Sequence, residues 1–175
     1  MGMTTAQLAA RIKQVAYLEG DFTLRSGAKS RYYLDKYLFE TQPDILIELG
    51  RRFTERLGEA QVIAGAELGA IGLAAATSMA SGRPFVIVRN AKKGYGTGKL
   101  IEGALPPGAA VTVVEDIITT GGQVIEAAQV LAAAGAKVLK IIGTIDRLQG
   151  GRENIEKAGF AYECLLTRED LGISA

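Results

Sequence analysis

"VTVVEDIITTGGQ", Val111 to Gln123, decides how this chain is read. The β-branched run before Glu115 reads as a buried strand, and the small residues after Ile118 read as a turn feeding a helix. Such a turn presents unpaired backbone N–H groups at the positive end of a helix dipole, which suits a phosphate. Thr119 and Thr120 add hydroxyl donors, and Gly121 and Gly122 let the backbone come close to an anion. Glu115 and Asp116 repel phosphate, but they accept hydrogen bonds from sugar hydroxyls and can orient a hydrated Mg²⁺. A ribose phosphate carrying further phosphates and a metal satisfies both halves. The plainer alternative is a solvated acidic strand end beside a glycine-rich helix start.

Strands and helices alternate on either side of this stretch. A first helix spans about residues 4–18, and "FTLRSGAKSRYYLDKYLF" (22–39) alternates loosely about a Ser-Gly turn, as a hairpin or extended flap would. Pro43 opens a helix that runs amphipathically to Gly58, its expected cap. Strands follow at "QVIAGA" (61–66), "PFVIVRN" (84–90), "AAVTVVED" (109–116), "KVLKIIGTIDR" (137–147) and "AYECLLT" (161–167). Helices at 69–82, 121–135 and 152–159 separate them, and a glycine-rich loop covers Ala91 to Gly103. Near-continuous apolar strands joined by helices predict an α/β fold, a mostly parallel twisted sheet with helices on both faces. Ligands of such sheets bind beyond the carboxyl ends of the strands, where Arg89, Glu115, Asp116, Asp146 and Arg147 fall.

Composition narrows the chemistry. The 175 residues suit one domain, and a net charge of +1 gives no general field for nucleic acid or an anionic membrane. The single Cys164 forms no internal disulfide, no apolar run reaches the length of a membrane span, and the expected compartment is the cytoplasm. The chain has no histidine, which removes Ser-His-Asp and Cys-His nucleophiles and imidazole metal sites together. Carboxylates, amines, hydroxyls and backbone amides must do the work.

With those residues in view, "VTVVEDIITTGGQ" resembles the phosphoribosyl-diphosphate signature of the type I phosphoribosyltransferases. The resemblance implies that Glu115 and Asp116 hold ribose hydroxyls, and that Thr119, Thr120, Gly121, Gly122 and Gln123 hold the 5′-phosphate. "VRNAKKGYGTGKLIEG" (88–103) is similar to the mobile catalytic loop of the orotate phosphoribosyltransferases, about residues 90–103, which crosses a homodimer interface. It implies diphosphate contacts from Arg89, Asn90, Lys93 and Tyr95, with Lys93, Arg89, Tyr95 and Asp116 as catalytic residues. Asn90 stands for a usual lysine and Tyr95 for a usual histidine; a phenol carries no positive charge at pH 7, so Lys93 is expected to stabilise the leaving group.

Residues 22–35 resemble the hood segment of the same family, with Phe22, Thr23, Leu24, Ser26, Gly27, Ser30 and Tyr32 matching and Arg25 in place of lysine. A small N-terminal hood over about residues 17–40, with a contribution from the C-terminal part, is implied. "TIDRLQGG" (144–151) resembles the segment that gives an arginine to the orotate carboxylate. The implied base contacts are Arg25, Thr119, Arg147 and Tyr33; the plainer reading of Arg147 is an ion pair with Asp146 or Glu153. In "GAELGAIG" Leu68 replaces a lysine of some relatives, and Glu67 carries no evident role. The implied activity transfers phosphoribosyl from its diphosphate to orotate, with Mg²⁺ held mainly by the diphosphate and water. A transferase for another base and a non-catalytic sensor of phosphoribosyl diphosphate remain the alternatives.

Overall fold

The computed structural model describes residues 2–23, 29–90 and 99–173. Helix α1 (Thr5–Ala16) starts at Thr4, whose hydroxyl and backbone exchange hydrogen bonds with Gln7 in a capping box. It leads into β1 (Tyr17–Thr23), paired antiparallel with β2 (Lys29–Leu34) in a separate two-stranded ribbon. After Asp35, which caps it, a short helix α2 (Lys36–Glu40) takes residues 36–39, which the sequence pattern assigns to the flap. Helix α3 (Pro43–Thr54) has proline in its first turn and ends short of the expected cap; Gly58 instead sits at φ +57 in the turn beyond.

The rest alternates as expected: β3 (Val62–Ala66), α4 (Ala70–Ser81), β4 (Phe85–Val88), β5 (Ile101–Glu102), β6 (Ala110–Ile118), α5 (Gly122–Ala133), β7 (Lys137–Asp146), α6 (Gly151–Lys157) and β8 (Tyr162–Thr167). The sheet order is β5-β4-β3-β6-β7-β8. All neighbouring pairs are parallel except β4 with β5. The two-residue β5 lies inside the stretch expected as loop; so short an edge strand has no periodicity to read.

Side-chain alternation splits the core into two layers. Ile63, Val114 and Ile142 point to the face covered by α1, α3 and α4, where Leu8, Ile12, Ile45, Leu49, Phe53 and Leu73 are fully buried. Val62, Ala64, Val113 and Ile141 point to the face covered by α5 and α6, against Val124, Leu131 and Ile155. Each such valine, leucine, isoleucine or phenylalanine contributes about 1.5–3 kcal/mol on burial. On the first face, Gly50 lets α3 lie directly on α4: a Cβ there would come 2.8 Å from the Ala76 carbonyl oxygen. Because β6 and β7 are interior strands covered on both faces, the turns beyond their carboxyl ends are held from below.

Candidate active site

The turn after β6 is built by its neighbours. Gly121 caps α5 at φ +79, a conformation that favours glycine, and no side chain caps the helix. The first N–H groups of α5 are therefore left to a ligand or water. Gly122 needs no special backbone, and a Cβ there would meet nothing within 4 Å. Helix α6 braces the turn from behind: a Cβ on Gly151 would come 2.3 Å from Ile118 Cγ2 and 2.6 Å from the Thr119 oxygen. Asn154 Nδ2 donates to the Thr120 oxygen at 2.9 Å. Neither Gly151 nor Asn154 stands out in sequence, because their role is to touch a turn thirty residues away.

Strand β6 continues past the acids to Ile118, so Glu115 and Asp116 lie within the strand rather than at its end. They are 7% and 3% exposed. The Asp116 N–H donates to Glu115 Oε1 at 3.1 Å, while Glu115 Oε2 is buried without a hydrogen-bond partner among the described residues. Asp116 Oδ2 accepts from Lys36 Nζ at 2.7 Å, and its other oxygen takes the Ile117 N–H. Glu40, on α2, is also buried, and its Oε1 has no partner among the described residues. Burial, then the nearby Asp116 charge, pushes the Glu40 carboxyl up to about 9, Lys36 only partly offsetting them. Glu115 is raised for the same two reasons in the same order. Burial works against the Lys36 charge, but Asp116 and Glu115 outweigh it and hold its pKa above the ordinary value. Lys36 and Glu40 escape sequence reading because their chemistry appears only when α2 is brought beside β6.

Glu67 has a definite role in the fold. Its Oε1 accepts the Asn90 N–H at 2.8 Å, and its Oε2 lies 3.5 Å from Arg89. Its backbone oxygen accepts from Asn90 Nδ2 at 3.2 Å and from Gln123 Nε2 at 3.1 Å. Gln123 also donates to Asn90 Oδ1 at 3.3 Å. Three predicted site residues, Arg89, Asn90 and Gln123, thus converge on one carboxylate and its backbone, which ties the end of β4 to the start of α5. The Glu67–Leu68 peptide is cis, and Leu68 is 66% exposed.

Arg147 does not pair with Asp146. Its guanidinium donates to the Tyr32 hydroxyl at 3.1 Å and lies over the Tyr32 ring, 5.5 Å from the centroid. Asp146 is buried elsewhere: its oxygens take the Leu148 N–H at 2.7 Å and the Tyr162 hydroxyl at 2.9 Å. Tyr32 in turn stacks on Tyr17 at 5.5 Å. The β1–β2 ribbon is thereby carried over the carboxyl end of β7. Tyr33 is 41% exposed and next to Tyr32 on the strand, so it projects from the opposite face, against Phe22 at 5.6 Å. The C-terminal turn packs on α1, with Lys13 Nζ donating to the Gly172 oxygen at 3.1 Å. Arg25, Lys93 and Tyr95 lie outside the described residues.

What converges on the carboxyl ends of β3, β4, β6 and β7 is an uncapped helix start, two buried carboxylates with an acceptor oxygen to spare, and cations on either side. Residues 39–165 match the family model described as "Phosphoribosyl transferase domain". The chain is 44% identical over 167 residues to the orotate phosphoribosyltransferase of Methanocella arvoryzae, covering 94% of this chain and 95% of that one. It superposes with a TM-score of 0.87 on the Mycobacterium tuberculosis orotate phosphoribosyltransferase in complex with Fe(III) dicitrate, at 32% identity and 97% and 99% coverage. The complex of that enzyme with 5-phospho-alpha-D-ribosyl 1-diphosphate gives a TM-score of 0.82 at 32% identity, with 97% and 99% coverage. Fold, motifs and whole-length similarity agree that the chain belongs to the orotate phosphoribosyltransferases, within the phosphoribosyl transferase domain family.

Proposed function

We propose that this protein transfers the 5-phosphoribosyl group from 5-phosphoribosyl 1-diphosphate to orotate, yielding orotidine 5′-monophosphate and diphosphate for UMP synthesis. The observation that carries the reading is Glu115 Oε2, buried without a hydrogen-bond partner among the described residues, four residues before the turn at Thr119 that leads into uncapped α5. A buried polar atom left unpaired costs about 1–3 kcal/mol, and a ribose hydroxyl would repay it. Glu115 and Asp116 would take the ribose hydroxyls, and Thr119 to Gln123 the 5′-phosphate. Arg147, with Arg25 and Thr119, would hold the base, while Tyr33 lies on the other face of the ribbon against Phe22. An arginine fork matches a carboxylate with two parallel hydrogen bonds. Arg89, Asn90, Lys93 and Tyr95 would surround the diphosphate.

In the reaction the C1′–O bond to diphosphate breaks as the bond from orotate N1 to C1′ forms. Orotate bound with its ring nitrogen deprotonated needs no general base, which suits a histidine-free chain. The protein would position both substrates and neutralise charge that develops on the leaving group. Among the described residues no cluster of three or more potential ligands could hold a metal by itself. Two adjacent carboxylates with a spare oxygen fit Mg²⁺ that arrives on the diphosphate and is reached through its waters. Bound so, the ion would neutralise diphosphate charge.

The reading extends to a cytoplasmic homodimer in which residues 90–103 serve the neighbouring subunit. Ile47 on α3 and Met79 on α4 are 71% and 83% exposed, apolar side chains that such a partner would cover. No described helix is long and apolar enough to cross a membrane. Loss of orotate absorbance on adding phosphoribosyl diphosphate, with and without Mg²⁺, tests the activity. Equal or faster turnover of hypoxanthine, adenine or uracil would reassign the base. Sedimentation of a monomer during turnover would remove the shared loop.

A further inference from the structure

We infer that Lys36 is a substrate-contacting residue, binding the diphosphate of the phosphoribosyl donor between Asp116 and the 67–69 segment; this rests on the reaction proposed above. Its Nζ lies 2.7 Å from Asp116 Oδ2, with the lysine side chain 29% exposed where the aspartate is 4%. Gly69 fixes the other wall: a Cβ there would come 1.8 Å from Asp116 Oδ2 and 2.9 Å from Lys36 Nζ. The ammonium is therefore wedged against the backbone of the segment that follows β3, within reach of solvent. It also lies over the Tyr37 ring, 5.4 Å from the centroid, which holds it in place.

An ammonium has three N–H donors, and Asp116 takes one of them. Without a cation here, a diphosphate attached to a ribose on Glu115 and Asp116 would arrive beside two carboxylates. On this wall Leu68 is apolar and exposed, and Arg89 is shared with Glu67 at 3.5 Å, so Lys36 is the described cation set directly beside Asp116. C1′ joins the ribose to the diphosphate, so a cation shared between Asp116 and the diphosphate stands beside the bond that breaks. Charge preorganised there counts most as the leaving oxygen becomes negative. The sequence offers no hint of this, because Lys36 and Asp116 are eighty residues apart.

Lys36→Gln keeps an N–H donor for Asp116 and removes the charge. Calorimetric titration with inorganic diphosphate and, separately, ribose 5-phosphate separates two roles. Contact with diphosphate predicts roughly ten- to hundredfold weaker diphosphate binding, ribose 5-phosphate affinity nearly unchanged, and recovery of most of the loss in Lys36→Arg. Equal losses for both ligands would mean that Lys36 merely orders Asp116, and no loss would remove it from the site; either result overturns the inference. A second measurement needs no variant: acylation of wild-type Lys36, followed by mass spectrometry, should be suppressed by diphosphate and not by ribose 5-phosphate. Labelling indifferent to diphosphate would contradict the assignment. Orotate turnover by the wild type tests the parent reading separately, since diphosphate can bind through Lys36 whether or not orotate is the acceptor.

Discussion

The turn at 119–123 and the acid cluster at 115–116 are close neighbours in sequence and opposite in construction. The turn is backbone braced from α6: Gly121 at φ +79, Gly151 packed against Thr119, the Asn154 side chain on the Thr120 carbonyl. The acid cluster is side chains brought together from α2 and β6, with Glu40 Oε1 and Glu115 Oε2 buried and without hydrogen-bond partners among the described residues. It holds polar atoms whose hydrogen bonds are unmet. A site that must grip a phosphate and then release a sugar can use both: a fixed anchor, and acceptors whose cost is relieved only by substrate.

Substitutions on each side should therefore fail differently. The largest effect is expected for Asp116→Asn, which removes a charged acceptor: kcat/KM for phosphoribosyl diphosphate should fall roughly a hundredfold in the orotate assay, with the thermal midpoint little moved. Retained activity would remove Asp116 from the ribose. Gly151→Ala should show the reverse pattern. Its methyl has no room between Ile118 and Thr119, so stability should drop by about 1–3 kcal/mol in urea unfolding and phosphate binding should weaken with it. A Gly151→Ala protein as stable as the parent would show that α6 does not brace the turn.

A smaller effect falls on the base side. Arg147→Lys keeps the charge and loses the fork, so the KM for orotate should rise about tenfold while that for phosphoribosyl diphosphate stays put. An equal rise in both would place Arg147 outside the orotate subsite. The smallest effect is a pH slope. Glu40 is raised from 4.5 to about 9, so the folded state holds that proton more tightly than the unfolded chain. Stability is then highest below the ordinary carboxyl value and falls as pH climbs through this window towards 9. Glu40→Gln should flatten that fall in thermal melts, and an unchanged slope would assign it to other groups, Glu115 first among them.

The same contrast explains what was legible in the sequence. The sheet, its parallel sense and the strand–turn–helix unit follow from runs such as Val111–Val114 and from Gly121, because buried strands and glycine-built turns are local properties. The boundaries that failed were also local. Helix α3 stops short of Gly58, and β5 is too short to show a period. The turn and the acids were readable as types of residue. Their neighbours were not: Lys36, Glu40, Gly151 and Asn154 acquire meaning only through contacts between distant segments. Glu67 looked idle because its partners, Arg89, Asn90 and Gln123, lie 22 to 56 residues along the chain. For Arg147 the plainer reading offers Asp146 or Glu153 as an ion-pair partner, whereas folding delivers Tyr32 and leaves Asp146 to Tyr162.

The central claim is that one molecule spans both constructions, its phosphate on the turn and its sugar on the acids. Calorimetry of inorganic phosphate and ribose 5-phosphate, on wild type and Asp116→Asn, tests it most directly. Wild type should prefer ribose 5-phosphate, and Asp116→Asn should lose that preference while binding inorganic phosphate as before. A preference that survives the substitution, or phosphate binding that disappears with it, would contradict the account.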